Sequence, residues 1–146
     1  MKEKCVREEG LIGIVLVTHG QMADGLLDAA RMIIGPQQGL VGVSLQEGDD
    51  IEGLTERVRQ AVEQVDSGGG ALLLVDVFGA SPFNASARVA MTQNNVEVLA
   101  GVNLPMVLEV VTSREGLSLH KAVALAKEAG ITSVRTLSEA LDKSSS

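Results

Sequence analysis

Residues 11–20, LIGIVLVTHG, carry an unbroken apolar run over 11–17 and then turn polar at Thr18 and His19. A strand with one face in water alternates apolar and polar positions, whereas a run with no polar position suits a strand covered on both faces, the central strand of a parallel sheet. ALLLVDV at 71–77 has the same character up to Asp76, and LVGVSL (40–45) and VEVLAGV (96–102) supply two further runs. Helical patterns separate them, which is a βαβα rhythm.

Between the first two runs Met22, Leu26, Ala29, Ala30 and Ile33 recur at helical spacing, and Gly35-Pro36 marks the stop. Ile51, Leu54, Val58, Ala61, Val62 and Val65 form a second stripe, opened by Asp49 or Asp50 as N-cap and closed by SGGG at 67–70. In GASPFNASARVAM, Ser81 is expected to cap a third helix with Pro82 in its first turn. Asn103 caps an apolar fourth helix, and SLHKAVALAKEAG is a fifth, ended by Gly130. ITSVRTL (131–137) is β-branched enough to form a short C-terminal edge strand. Right-handed crossovers then favour an α/β, doubly wound, mostly parallel sheet of order 2-1-3-4 with helices on both faces.

Composition agrees with one domain over residues 11–141, preceded by a charged leader (1–10) and followed by a frayed tail (142–146). Apolar residues are 45% of the chain and aromatic ones 1%, so the core is built from Val, Leu, Ile, Ala and Met. A net charge of −7, with two Phe and no Trp or Tyr, argues against a nucleic-acid surface, which needs basic stripes and stacking rings. The single Cys5 lies in the leader and is expected to be a free thiol. No apolar run approaches the ~20 residues of a membrane span, and the leader lacks signal-peptide form, so a cytoplasmic protein is expected.

In a sheet of this order, ligands sit in the crevice at the carboxyl ends of the strands. His19 follows the first strand by about a residue and Asp76 stands at the end of the third, so the topology brings them to one crevice. A carboxylate accepting a hydrogen bond from imidazole Nδ1 fixes the tautomer and leaves the Nε2 lone pair free for attack. Beside them FGASPFN offers a turn at Gly79 and Ala80, the Ser81 hydroxyl and a helix N-terminus, which favours a phosphoryl group. Thr18, Gly79, Ala80 and Ser81 are the candidate phosphate-binding residues. Taken singly, His19 also reads as a polar loop residue, Asp76 as a turn former, Ser81-Pro82 as a helix start and Thr18 as a strand residue with a local backbone bond. His120, in the first turn of the last helix, reads as solvated or capping.

Absent motifs narrow the chemistry. Thr18 and His19 stand where a phosphoaspartate receiver would carry an acidic pair. There is no GxxxxGK[ST] and no GxGxxG. Only Phe78 and Phe83 could stack on a flavin, and one His with one Asp is fewer ligands than a stable metal site requires. No cofactor and no metal is expected.

IVLVTHGQMADGLLDAARMIIG, LLLVDVFGASPFNASARVA and EVLAGVNLPMVLEVV together resemble the enzyme IIA component, mannose family, of the bacterial phosphoenolpyruvate:sugar phosphotransferase system, over about residues 11–137. The resemblance implies a phosphotransferase with a phosphohistidine intermediate. By motif position His19 accepts a phosphoryl group from the phosphohistidine of HPr and passes it to a separate IIB component, which serves a membrane IIC/IID permease. Asp76 would hold the ring and Ser81 would lie near the phosphate. The resemblance also implies a homodimer in which the last short strand is exchanged. Phe78 and the Ala80 of GASPFN are mild departures from the family pattern. Two other readings stay open: a regulatory module whose phosphorylation reports carbon status without transport, and the phosphoryl donor domain of a dihydroxyacetone kinase, against which Gly20 counts. A hydrolase with Ser81 as nucleophile is a weaker third, since a capping Ser81 would have its oxygen on backbone N–H groups.

Overall fold

The computed structural model describes residues 10–141, so the expectations for Cys5 and the rest of the leader before Gly10, and for the tail, lie outside the described residues. Strands β1 (Gly13–His19), β2 (Leu40–Leu45), β3 (Ala71–Val75) and β4 (Val96–Ala100) form one parallel sheet in the order β2-β1-β3-β4. The doubly wound order expected from the apolar runs is therefore present. Helices α1 (Met22–Ile34), α2 (Ile51–Val65), α3 (Ser81–Thr92), α4 (Leu104–Ser113) and α5 (Leu119–Thr132) cover it, and a short α6 (Leu137–Leu141) follows.

The period of two along each central strand divides the core between two faces. Ile14, Leu16, Leu72 and Leu74 pack with α1, α4 and α5 residues such as Ala30, Val107 and Ala126. Val15, Val17, Leu73 and Val75 pack with Leu54, Val58 and Val62 of α2 and Ala85 and Val89 of α3. Every residue of β3 is buried, as a strand covered on both sides requires. Helix starts follow local chemistry: Asp50 accepts from Gly53 N at 2.7 Å, Asn103 from Met106 N at 3.0 Å and Ser118 from Lys121 N at 3.2 Å. At the far end of the sheet the buried Arg114 guanidinium donates to the carbonyls of Ile12, Gly39 and Gln38, tying the starts of β1 and β2 to the end of α4.

The C-terminal edge strand is not there. Ile131 and Thr132 finish α5, residues 133–136 link, and Leu137 opens α6. Gly130 does not end α5 either. It is buried where a Cβ would come within 2.6 Å of Met106 Cε, so it serves the close approach of α5 to α4 rather than a helix stop. With the helix running on past it, the β-branched Ile131 and Thr132 are spent on helical turns and cannot begin a strand.

Ser86 is fully buried in α3 and its Oγ has no hydrogen-bond partner among the described residues. Leaving a hydroxyl unpaired in an apolar setting costs free energy that alanine does not incur. The Ser86→Ala chain is accordingly expected to be more stable by up to about 1 kcal/mol, read as a higher urea midpoint at unchanged slope.

Candidate functional site

The register sets the site. Val17 pairs with Val75, so the next residue of each strand, Thr18 and Asp76, stand level, and His19 lies one step further along β1. Alternation turns Thr18 and His19 to opposite faces. Thr18 is fully buried, and its hydroxyl oxygen accepts the Ala23 N–H at 2.8 Å, which fastens the start of α1 to the end of β1. His19 faces the α3 side, and its side chain is 50% exposed while that of Asp76 is 8% exposed.

Asp76 gathers three N–H donors. Its Oδ2 lies 2.8 Å from both the backbone N and the Nδ1 of His19, and its Oδ1 accepts the Val77 N–H at 2.9 Å. An ionised carboxylate only accepts, so Nδ1 must carry a proton, and in the neutral ring Nε2 is then the nitrogen with the lone pair. Burial pushes the Asp76 carboxyl upward, but the hydrogen bonds from the His19 backbone and ring and from Val77, with the charge the ring can carry, outweigh it. The net result is a carboxyl held below its ordinary value. Asp76 therefore stays ionised beside the ring.

After Asp76 the chain turns through Gly79, at φ 89°, into α3. The cap position is Ala80 and not Ser81: the Ala80 carbonyl already accepts the Asn84 N–H at 2.9 Å, so the first helical bond closes one residue earlier than the sequence suggested. Alanine has no oxygen to offer. Among the described helices α3 is the one whose first-turn N–H groups meet no side-chain oxygen, because Thr18 serves α1 and Thr136 serves α6 in the way Asp50, Asn103 and Ser118 serve the others. Among the described residues Ser81 N–H and Phe83 N–H have no backbone partner, and Ala80 N–H has only a long 3.5 Å contact to Val77 O. Such a terminus is an anion-binding arrangement, with donors and the helix dipole pointing the same way.

The Ser81 hydroxyl, half-buried in the first turn, makes no hydrogen bond among the described residues, which removes the reason for thinking it occupied as a cap. No hydrogen bond joins it to His19, so the base-to-nucleophile contact of a serine hydrolase is missing. Phe78, 76% exposed, lies against Phe83 with ring centroids 4.4 Å apart. His120 is exposed near the start of α5, where Ser118 is the cap. Among the described residues no three His, Cys, Asp or Glu side chains group as a metal ion would need, and no helix is long and apolar enough to cross a membrane.

Sequence reasoning overlooked the Val77 N–H, which shares the load on Asp76, and Asn84, whose Nδ2 donates to the Gly79 carbonyl at 3.2 Å. A backbone donor leaves no trace in a sequence. The asparagine does, as an amide side chain four positions into a helix start that lacks a capping oxygen.

Comparison with known proteins places the chain and its fold among related ones. A family model described as "PTS system fructose IIA component" matches residues 13–127. The chain is 39% identical over 127 residues to the "PTS system mannose-specific EIIAB component" of Escherichia coli (strain K12), covering 86% of this chain and 39% of that protein. It is 33% identical over 133 residues to the "PTS system fructose-specific EIIA component" of Bacillus subtilis (strain 168), covering 91% of each. Among solved structures, phosphotransferase system component EIIA from Streptococcus agalactiae superposes with a TM-score of 0.82 at 26% identity, over 88% of this chain and 99% of that one.

Proposed function

The chain belongs to the mannose-family IIA components of the sugar phosphotransferase system, and from that premise we propose that it is a phosphocarrier working through His19. The observation that carries this reading is the 2.8 Å contact between His19 Nδ1 and a nearly buried Asp76 on a ring that is half exposed. Nε2 attacks the phosphorus of the phosphohistidine on HPr. The new N–P bond forms as the donor N–P bond breaks, and the donor imidazole keeps the electron pair of that bond. The proton on Nδ1 stays shared with Asp76, which stabilises the charge that bonding to phosphorus places on the ring. The unclaimed N–H groups of α3, with the Ser81 hydroxyl and the Gly79-Ala80 turn, hold the phosphoryl oxygens. Phosphoryl transfer is mostly positioning and charge stabilisation, and this set of donors supplies both without a metal. Thr18 acts indirectly, by fixing α1 against the strand that carries His19. The phosphoryl group then passes by the reverse geometry to a IIB component, which serves a IIC/IID permease. Incubation with phosphoenolpyruvate, enzyme I and HPr should place an acid-labile phosphoryl group on His19 and move it on to a IIB domain. Label elsewhere, or none, would remove the reading.

A homodimer belongs to the same proposal. It is supported by the exposed apolar side chains Ile131, Val134, Leu137 and Leu141 and by the position of β4 at the sheet edge, where no strand among the described residues pairs with its outer side. Sedimentation equilibrium should give twice the chain mass at micromolar concentration, and a Val134→Lys, Leu137→Lys chain should sediment as a monomer. A wild-type chain that is monomeric throughout would refute the dimer.

A further inference from the structure

We propose that Asn84 is a positioning residue for this transfer, acting through the Gly79 carbonyl; the inference rests on the phosphocarrier reading above. Asn84 uses two donors on two consecutive peptide planes. Its side-chain Nδ2 donates to Gly79 O at 3.2 Å, and its backbone N–H donates to Ala80 O at 2.9 Å. A trans peptide is planar with its C=O and N–H pointing opposite ways. Holding Gly79 O therefore aims the Ala80 N–H, and holding Ala80 O aims the Ser81 N–H. These are two of the donors that the α3 start leaves unclaimed by any close protein acceptor.

The need for such a hold is visible in the same turn. Gly79 sits at φ 89°, with open space where a Cβ would be, so no side chain of its own anchors that backbone. Ala80 cannot cap, and the contact of its N–H with Val77 O is at the limit of a hydrogen bond. A conventional N-cap side chain would pin the turn by accepting the Phe83 N–H, since Pro82 has none, and would thereby take one of the open donors. Asn84 pins it from the carbonyl side and leaves the donors open. Its side chain is exposed and belongs to neither core cluster, so its contribution is to orientation more than to stability.

Asn84→Ala and Asn84→Leu both remove the donor, the second while keeping the side-chain bulk and a good helix former. Rapid-quench transfer from phospho-HPr should show kcat lowered about tenfold in both, the change that about 1.4 kcal/mol of lost transition-state stabilisation produces. KM for phospho-HPr should stay within about twofold, since lost orientation appears in kcat and lost docking in KM. Melting temperatures should remain within about 3 °C of the parent, less than the shift a lost core contact gives. The amide resonance of Ala80 should move in both variants in the absence of any phosphate. Wild-type kcat in the variants, or a loss confined to KM or proportional to a fall in melting temperature, would overturn the role of Asn84 while leaving the phosphocarrier reading intact. A parent chain that takes no label from phospho-HPr would overturn that reading, and this inference with it.

Discussion

A His19→Ala chain is expected to take up no phosphoryl group from phospho-HPr, with transfer to a IIB domain falling to background, while the fold persists. The side chain is half exposed and belongs to neither core cluster, so its removal leaves no cavity. Its loss should destabilise the chain only by what the bond to Asp76 contributes. All the chemistry goes with it, because the attacking Nε2 lone pair belongs to the ring whose Nδ1–H is held by the Asp76 carboxylate. Quantifying acid-labile label by intact-mass measurement, with circular dichroism to show that the fold is kept, checks both halves. Labelling of the variant at the parent's level would mean that some other side chain is the acceptor.

Asp76→Asn is expected to slow transfer by on the order of 10²–10⁴-fold, the range that a misplaced imidazole proton costs. Three N–H groups converge on the carboxylate, two on Oδ2 and one on Oδ1. Asparagine has one acceptor oxygen and an NH₂ group, so one side of the site must now face a donor with a donor. If the oxygen meets the Val77 N–H, the amide turns on His19, Nδ1 has to accept, the proton moves to Nε2, and the attacking lone pair is gone. If the oxygen meets His19, the Val77 N–H faces the amide and the turn into α3 is disturbed. The first arrangement keeps the shape of the site and loses its protonation pattern; the second keeps the tautomer but loses the turn and the negative charge that steadies the phosphorylated ring. Single-turnover rates of labelling measure the effect, and a rate within a factor of about three of the parent would contradict it.

The same substitution has a pH signature. The folded-state carboxyl is held below its ordinary value, so ionised Asp76 stabilises the fold fully above the unfolded carboxylate pKa of about 4. That contribution is lost as pH falls through the lowered folded value. The gap between parent and Asp76→Asn in denaturant midpoint should be constant near neutral pH and close on acidification below about pH 4.

The architecture and the His19-Asp76 pairing were legible because both follow from burial. Strands covered on both sides need continuous apolar runs, as in LIGIVLV and ALLLV, and the strand order that such runs imply puts the ends of β1 and β3 side by side. Positions decided by contacts between elements were less legible. Gly130 has the composition of a helix stop, and its real reason, the nearness of Met106, lies in another helix. ITSVRTL has strand propensity, which a helix already in progress overrides. At α3, Ser81 before Pro82 carries the signature of a cap, yet the Asn84 N–H reaches the Ala80 carbonyl and moves the helix start by one residue. That single residue of offset matters chemically, since it frees a hydroxyl and leaves the first N–H groups open. Thr18 is a case of the opposite kind, a hydroxyl at the end of the right strand that faces away from His19 and takes a backbone donor of α1.

Which ring nitrogen carries phosphorus is the most direct test of this chemistry. The chain, uniformly labelled with ¹⁵N and incubated with phosphoenolpyruvate, enzyme I and HPr, can be read by ³¹P–¹⁵N coupling. The expected result is one phosphoryl group bonded to Nε2 of His19, with Nδ1 still protonated and bonded to Asp76. A phosphoryl group on Nδ1 of His19, on His120 or on Ser81, or no bound phosphorus at all, would contradict it.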